Sequence, residues 1–251
     1  MRKEDYSHLH TDLQAGLVIT AYAITEINTF MRLFLNASHP YTGDEFLDSA
    51  SFSQRNLLLR TMAAKVFEYR TMLEGKDSKN SDKSWSDEAA KISSEISESE
   101  TMIGYRLAED LRNEAANHYS FKAARKNLLF TSSNANFSLY VHQKTGNGFY
   151  PAGEEVMFIG RLSRHIDGMK DITLQRAFDE WMIWVREVIT IMSNNYVRMI
   201  TTHIFQKKPK KYARKVAHFV PFSMVQEPRK PSAPLFMRDD GSSPKTSNLQ
   251  E

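Results

Sequence analysis

Apolar residues recur at spacings of three and four along most of the chain, a period that predicts amphipathic helices. Leu13, Leu17, Ala21, Ile24, Ile27, Met31 and Phe34 form the first such stripe, which predicts a helix from about Asp12 to Asn36, capped by Thr11 or Asp12. A turn-rich stretch with His39-Pro40 and Thr42-Gly43-Asp44 follows. A second stripe, of Leu57, Leu58, Met62, Val66, Tyr69, Met72 and Leu73, predicts a helix over 53–73, and the polar run 75–84 reads as a flexible loop. The third helical region, 85–119, opens on Ser86-Asp87-Glu88, a cap and an acidic first turn. Its first half carries only Ile92 and Ile96 as apolar marks, whereas Met102, Ile103, Leu107 and Leu111 crowd the second. A short basic helix fits 121–130. The strongest stripe includes Phe178, Trp181, Met182, Val185, Val188, Met192, Met199 and Ile204, and predicts a helix over 174–205.

The period changes to two only between Asn136 and His142, where Phe137, Leu139 and Val141 alternate with polar or amphipathic residues. Thr145-Gly146-Asn147-Gly148 supplies a turn, and 149–158 the return, so a small β-hairpin is expected within 136–158. Beyond residue 205 come Lys207, Lys208, Lys210 and Lys211, several prolines and a Gly/Ser/Pro-containing end. The expected architecture is therefore mainly α: a helical domain over 1–205 with an inserted hairpin, and a flexible, largely disordered basic tail over 206–251.

Composition narrows the chemistry. A chain of 251 residues with 41% hydrophobic residues can bury a sizeable core. The absence of Cys excludes disulfides, thiolate metal sites and Cys nucleophiles, and fits a reducing, cytoplasmic location. No segment approaches the roughly 20 apolar residues that span a bilayer, and the charged start at Met1–Tyr6 does not read as a signal peptide, so no membrane partner is expected. Net charge is only +3, but it is unevenly placed: residues 74–100 hold eight acids and four bases, whereas 198–230 hold nine bases and one acid. His142 and His165 lack partners at metal-ligand spacing, and neither a phosphate-binding P-loop nor a dinucleotide fingerprint is present. No cofactor is expected. Trp181, Trp184, Met182 and Met192 read as core packing.

The chemistry-bearing segment is Asp110-Leu111-Arg112-Asn113-Glu114-Ala115-Ala116-Asn117-His118-Tyr119. Arg presents a planar fork of donors that suits a phosphate, Asn can orient a neighbour, and His titrates near neutral pH. RNA carries its own nucleophile, the 2′-hydroxyl, so a positioned base and a phosphate clamp suffice for cleavage without a metal. Spacing alone does not single the segment out, since Arg2/His8, Arg32/His39 and Arg198/His203 have a similar interval. Asn113 beside the Arg, Tyr119 beyond the His, and a helix end do. Around a regular helix Arg112 and His118 stand about 120° apart, so a loosened helix end or a second protomer would have to bring them to one phosphate. A plainer reading also fits: Glu114 pairs with His118, and Arg112 with Glu109 or Asp110, as helix-terminal ion pairs.

The segment 111–119 resembles the signature of the HEPN superfamily, in which Arg, a polar residue that is often Asn, and a His four to six residues later close a helix of an α-helical bundle. The order of elements over roughly 10–205 is compatible with that resemblance. It implies Arg112, Asn113 and His118 as a metal-independent ribonuclease centre, usually completed across a homodimer, in families that recur in toxin-antitoxin and phage-defence systems. RNA, a second copy, and a protein antitoxin or defence-system partner are the implied partners. Members without catalysis act as RNA-binding or interaction modules, which is the alternative. Tyr119 would orient the His or stack on a base, and Arg125 and Lys126 would line the cleft. Lys207, Lys208, Lys210 and Lys211 offer nonspecific attraction to phosphates.

Overall fold

A computed structural model describes residues 3–38, 41–111, 120–141, 146–167, 169, 172–207, 220 and 236. The first stripe forms α1 (Thr11–Asn36), which buries Leu13, Leu17, Ile27 and Phe34. His10, not Thr11 or Asp12, is its N-cap: the ring Nδ1 accepts the N–H of Asp12. The Asp12 carboxylate accepts instead from the backbone N–H of Asp82, tying α1 to a loop far along the chain.

α2 (Glu45–Glu74) begins well before the expected residue 53 because Asp44 caps it, accepting the N–H groups of Phe46 and Leu47. Its core face is Leu59, Met62, Ala63, Val66, Phe67, Tyr69 and Leu73, while Leu57, expected inside, is 56% exposed. The expected loop contains a single helical turn, α3 (Lys76–Lys79).

The third helical region is not continuous. It divides into α4 (Lys83–Glu98), a 3-10 turn (Ser99–Thr101) and α5 (Ile103–Leu111), separated by Met102 in extended conformation. Ser99 explains the break: its hydroxyl donates to the Ile96 carbonyl at 2.6 Å and accepts from Trp184 Nε1 at 3.2 Å. A serine that bonds its own backbone competes with the helical ladder.

α6 (Phe121–Leu128) is capped by Ser120. Among the described residues, the expected hairpin over 136–158 shows one antiparallel bridge, in which Tyr140 and Phe149 exchange backbone bonds of 3.2 and 3.0 Å. The expected return strand is helical from Pro151 onward: α7 (Pro151–Glu154), a π-helical turn (Glu155–Gly160) and α8 (Arg161–Ile166). Proline at the first helical position is preorganised for that start. Phe137, Leu139 and Val141, the apolar half of the alternation, are 57%, 70% and 74% exposed, so the alternation meets no burying surface. Phe46, Tyr140 and Phe149 cluster instead, joined by Phe236 from the C-terminal segment, whose ring stacks on Phe46 at 5.0 Å. Phe236 was expected in a disordered tail.

α9 (Leu174–Ile200) runs on into a π-helical turn (Thr201–Phe205). Residues 95, 99 and 104 meet 195, 184 and 180 in turn, so α4 and α5 run antiparallel to α9. α1, α2, α4, α5 and α9 share one core, with Phe67, Tyr105, Trp181 and Trp184 among its largest side chains. Among the described residues, no helix is long and apolar enough to cross a membrane.

Candidate functional site

Arg112, Asn113, His118 and Tyr119 lie outside the described residues. The site is therefore built from the helices that lead into and out of that segment. α5 delivers the chain to residue 112, and its course is fixed by its packing on α9. Gly104 makes this packing possible: a Cβ there would lie 2.1 Å from the Glu180 carbonyl oxygen and 2.7 Å from Trp184 Cβ. The other flank is held by Tyr105, whose hydroxyl accepts from Arg70 and donates to Glu109, each at 2.8 Å. Arg70 also pairs with Glu74 at 2.9 Å and Glu100 at 2.6 Å, and these carboxylates with Tyr105 outweigh its partial burial and raise its pKa further. α5 is thus fixed by close packing on one side and a charged network on the other.

Because α5 runs antiparallel to α9, its C-terminal end approaches the end of the bundle where α9 begins. α8 packs on α5, α6 and α9. It carries Arg161, fully buried, and the half-buried Arg164 and His165, each engaged by a neighbouring group. The sequence does not single out any of these three as a nucleic-acid ligand, because α8 lies between the expected hairpin and the last helix and is too short to show a stripe. Arg125 and Lys126 are exposed on α6, which begins just after residue 119. Among the described residues, α6 and α8, which pack on each other, carry these five basic side chains, of which Arg125 and Lys126 are exposed. Lys207 is exposed just past the π-helical turn, and Lys208, Lys210 and Lys211 lie outside the described residues.

A second charged cluster stands at the other end of α9. Glu88 of α4 is buried and accepts both guanidinium nitrogens of Arg198 and, at 2.9 Å, Nε2–H of His203. Asn195 adds a 2.6 Å bond to Glu95 and accepts from Arg198, while His8 donates to the His203 carbonyl. Burial would raise the Glu88 pKa, but the Arg198 and His203 bonds outweigh it and hold the carboxyl below its ordinary value. Arg198 and His203 are one of the pairs that share the Arg-to-His spacing. Here the spacing serves one shared carboxylate, which occupies the guanidinium fork that a phosphate would need.

Among the described residues, no group of three or more His, Asp and Glu side chains could hold a metal ion. Compared with family models, with curated proteins and with solved structures, the chain matches none.

Proposed function

We propose that the protein is a HEPN-like, metal-independent endoribonuclease whose centre is Arg112, Asn113 and His118, acting as a homodimer in a toxin-antitoxin or phage-defence system. The observation that carries this reading is the Arg-Asn…His-Tyr segment itself, which follows directly from the tightly fixed helix α5. The exposed Arg125 and Lys126 of α6, which follows that segment in sequence, support it as groups that attract a polyanion.

In the proposed reaction His118 takes the proton of a ribose 2′-hydroxyl, and the oxygen attacks the adjacent phosphorus. The 5′-oxygen leaves and takes up a proton, giving a 2′,3′-cyclic phosphate and a free 5′-hydroxyl. Arg112 stabilises the charge that develops on the phosphoryl oxygens, and Asn113 orients the phosphate. A second copy of the chain would present the same groups across a two-fold axis, which answers the angular separation of Arg112 and His118 on one helix.

The test is incubation of the full chain with single-stranded RNA in EDTA, beside His118→Ala and Arg112→Ala variants whose folding is checked by circular dichroism. Cleavage by wild type that disappears in both folded variants is the expected result. RNA retained without cleavage would replace the enzyme with a non-catalytic RNA-binding module, and activity that requires added metal would overturn the mechanism.

A further inference from the structure

Four arginines of the bundle are half-buried on α2 and α9, and three have carboxylate partners: Arg60 with Glu154 at 3.0 Å, Arg70 with Glu74 and Glu100, and Arg198 with Glu88. Arg55 differs. Its guanidinium carbon sits 5.1 Å from the centre of the Phe34 ring of α1, and its buried Nε has no hydrogen-bond acceptor among the described residues. No carboxylate there pairs with it, and burial lowers its pKa from the ordinary value. A desolvated cationic donor without an acceptor is costly, which marks the position as one that favours an anionic ligand.

Space for such a ligand adjoins it. Arg55 lines an open cleft of about 560 Å³, together with Tyr41, Ser49, Phe52, Gln175, Glu45 and Asp48. The two acids stand at the other end: Asp48 and Glu45 precede Arg55 by seven and ten residues of α2, about 10 and 15 Å along the helix axis. Asp48 is moreover turned onto its own loop, where it accepts from Thr42 N, Thr42 Oγ1 and Gly43 N. At about a Debye length from Arg55, the acids leave its field largely intact. Tyr41 offers an 87% exposed ring on the rim.

A guanidinium and an exposed aromatic ring that line one cleft, larger than a bare oxyanion needs, match a phosphate carried on a ring-bearing molecule. We infer that the Arg55 cleft binds a nucleotide, either free or as one unit of an RNA strand, with its phosphate on Arg55 and its base against Tyr41. The inference requires neither Arg112 nor His118, so it stands apart from the cleavage reading.

Isothermal titration of the full chain in EDTA at about 0.15 M salt, where the two acids are screened from Arg55, tests it, with inorganic phosphate, 5′-AMP and a 2′-O-methylated oligoadenylate that has no nucleophile for cleavage. In wild type, 5′-AMP and the oligomer bind, and Arg55→Met weakens both by about tenfold or more. Arg55→Lys, which keeps the charge but loses the fork, restores part of the loss. Tyr41→Ala weakens 5′-AMP more than inorganic phosphate. Tighter binding of the oligomer identifies a strand as the ligand, and binding of 5′-AMP as tight as the oligomer identifies a free nucleotide. Equal affinities in wild type and Arg55→Met, or no binding by wild type, overturn the inference. Arg55→Met retains an apolar stem on Phe34, and thermal unfolding verifies that it is folded. His118→Ala is expected to keep 5′-AMP binding, so a protein that cuts no RNA yet binds 5′-AMP through Arg55 would lose the ribonuclease reading and keep this one.

Discussion

Gly104→Ala sets two effects of opposite sign against each other at the contact that fixes α5. Helix propensity alone favours alanine by at most about 1 kcal/mol, and less than that so near a helix start. Packing opposes it: the new Cβ would sit 2.1 Å from the Glu180 carbonyl oxygen, 2.7 Å from the Glu180 carbonyl carbon and 2.7 Å from Trp184 Cβ. An ordinary carbon–oxygen contact is about 3.3 Å or longer, so the α5–α9 pair must part by roughly 1 Å. The obstacles are backbone and the root of a tryptophan, so no side-chain rotation relieves them. Parting the helices also loosens the Phe67–Tyr105–Trp184 aromatic cluster, whose centroids lie 5.4 to 5.9 Å apart. Overpacking of this kind costs about 1–3 kcal/mol, which exceeds the propensity gain. For a domain of this size the net loss corresponds to a fall of about 2–10 °C in melting temperature. Calorimetry of wild type, Gly104→Ala and the control Gly153→Ala measures it. At Gly153 an added Cβ meets nothing within 4 Å, so that variant should equal or slightly exceed wild type. A Gly104→Ala protein as stable as Gly153→Ala would refute the argument that close backbone approach fixes α5.

Three further outcomes follow from the structure. The Glu88 pKa is lower in the folded chain, so its contribution to stability is present above its ordinary value of 4.5 and is lost as pH falls through the folded value. Glu88→Gln should therefore cost about 1–3 kcal/mol in urea denaturation at pH 7, with a clearly smaller cost at pH 3, and a pH-independent cost would contradict the ion-pair account. Asn127 is fully buried on α6, and neither its Oδ1 nor its Nδ2 has a hydrogen-bond partner among the described residues. Asn127→Leu should raise stability by about 1–2 kcal/mol, and a decrease would mean that the amide is satisfied in solution. Phe236→Ala removes a ring stacked on Phe46 and should cost about 0.5–1.5 kcal/mol, together with a change in near-ultraviolet circular dichroism; an unchanged melt and spectrum would remove the C-terminal segment from the fold.

The long helices were legible because their signals are local. α1 and α9 follow stripes that repeat within one or two turns, and their observed limits fall close to the expected ones. α2 starts earlier than its stripe predicts because its first turns are only half-buried, although Phe46, Leu47, Phe52 and the capping Asp44 stand in the sequence. The expected return strand is helical from Pro151, and among the described residues the hairpin does not extend beyond the Tyr140–Phe149 bridge, for the opposite reason. Alternation is a burial signal only where a second surface covers one face, and Phe137, Leu139 and Val141 have none. For the candidate site, the sequence supplied the Arg112–His118 segment and the basic α6, whereas the packing of α8, with Arg161, Arg164 and His165, against α5 is a long-range contact that no local pattern carries.

Period, capping residues and the chemistry of one short segment act over a few neighbouring positions, so the sequence by itself determined a helical chain and a phosphodiester-directed hypothesis. Contacts between distant positions belonged to the tertiary structure. The break after α4 depends on Trp184, 85 residues from Ser99, and the Arg198–His203 pair is explained by Glu88, more than 100 residues away. Arg55 looks like any helical arginine until its lack of a carboxylate partner among the described residues and the adjoining cleft are seen. The energy of a buried charge or a close helix contact depends on what lies across the fold, and neighbours along the chain carry no record of it.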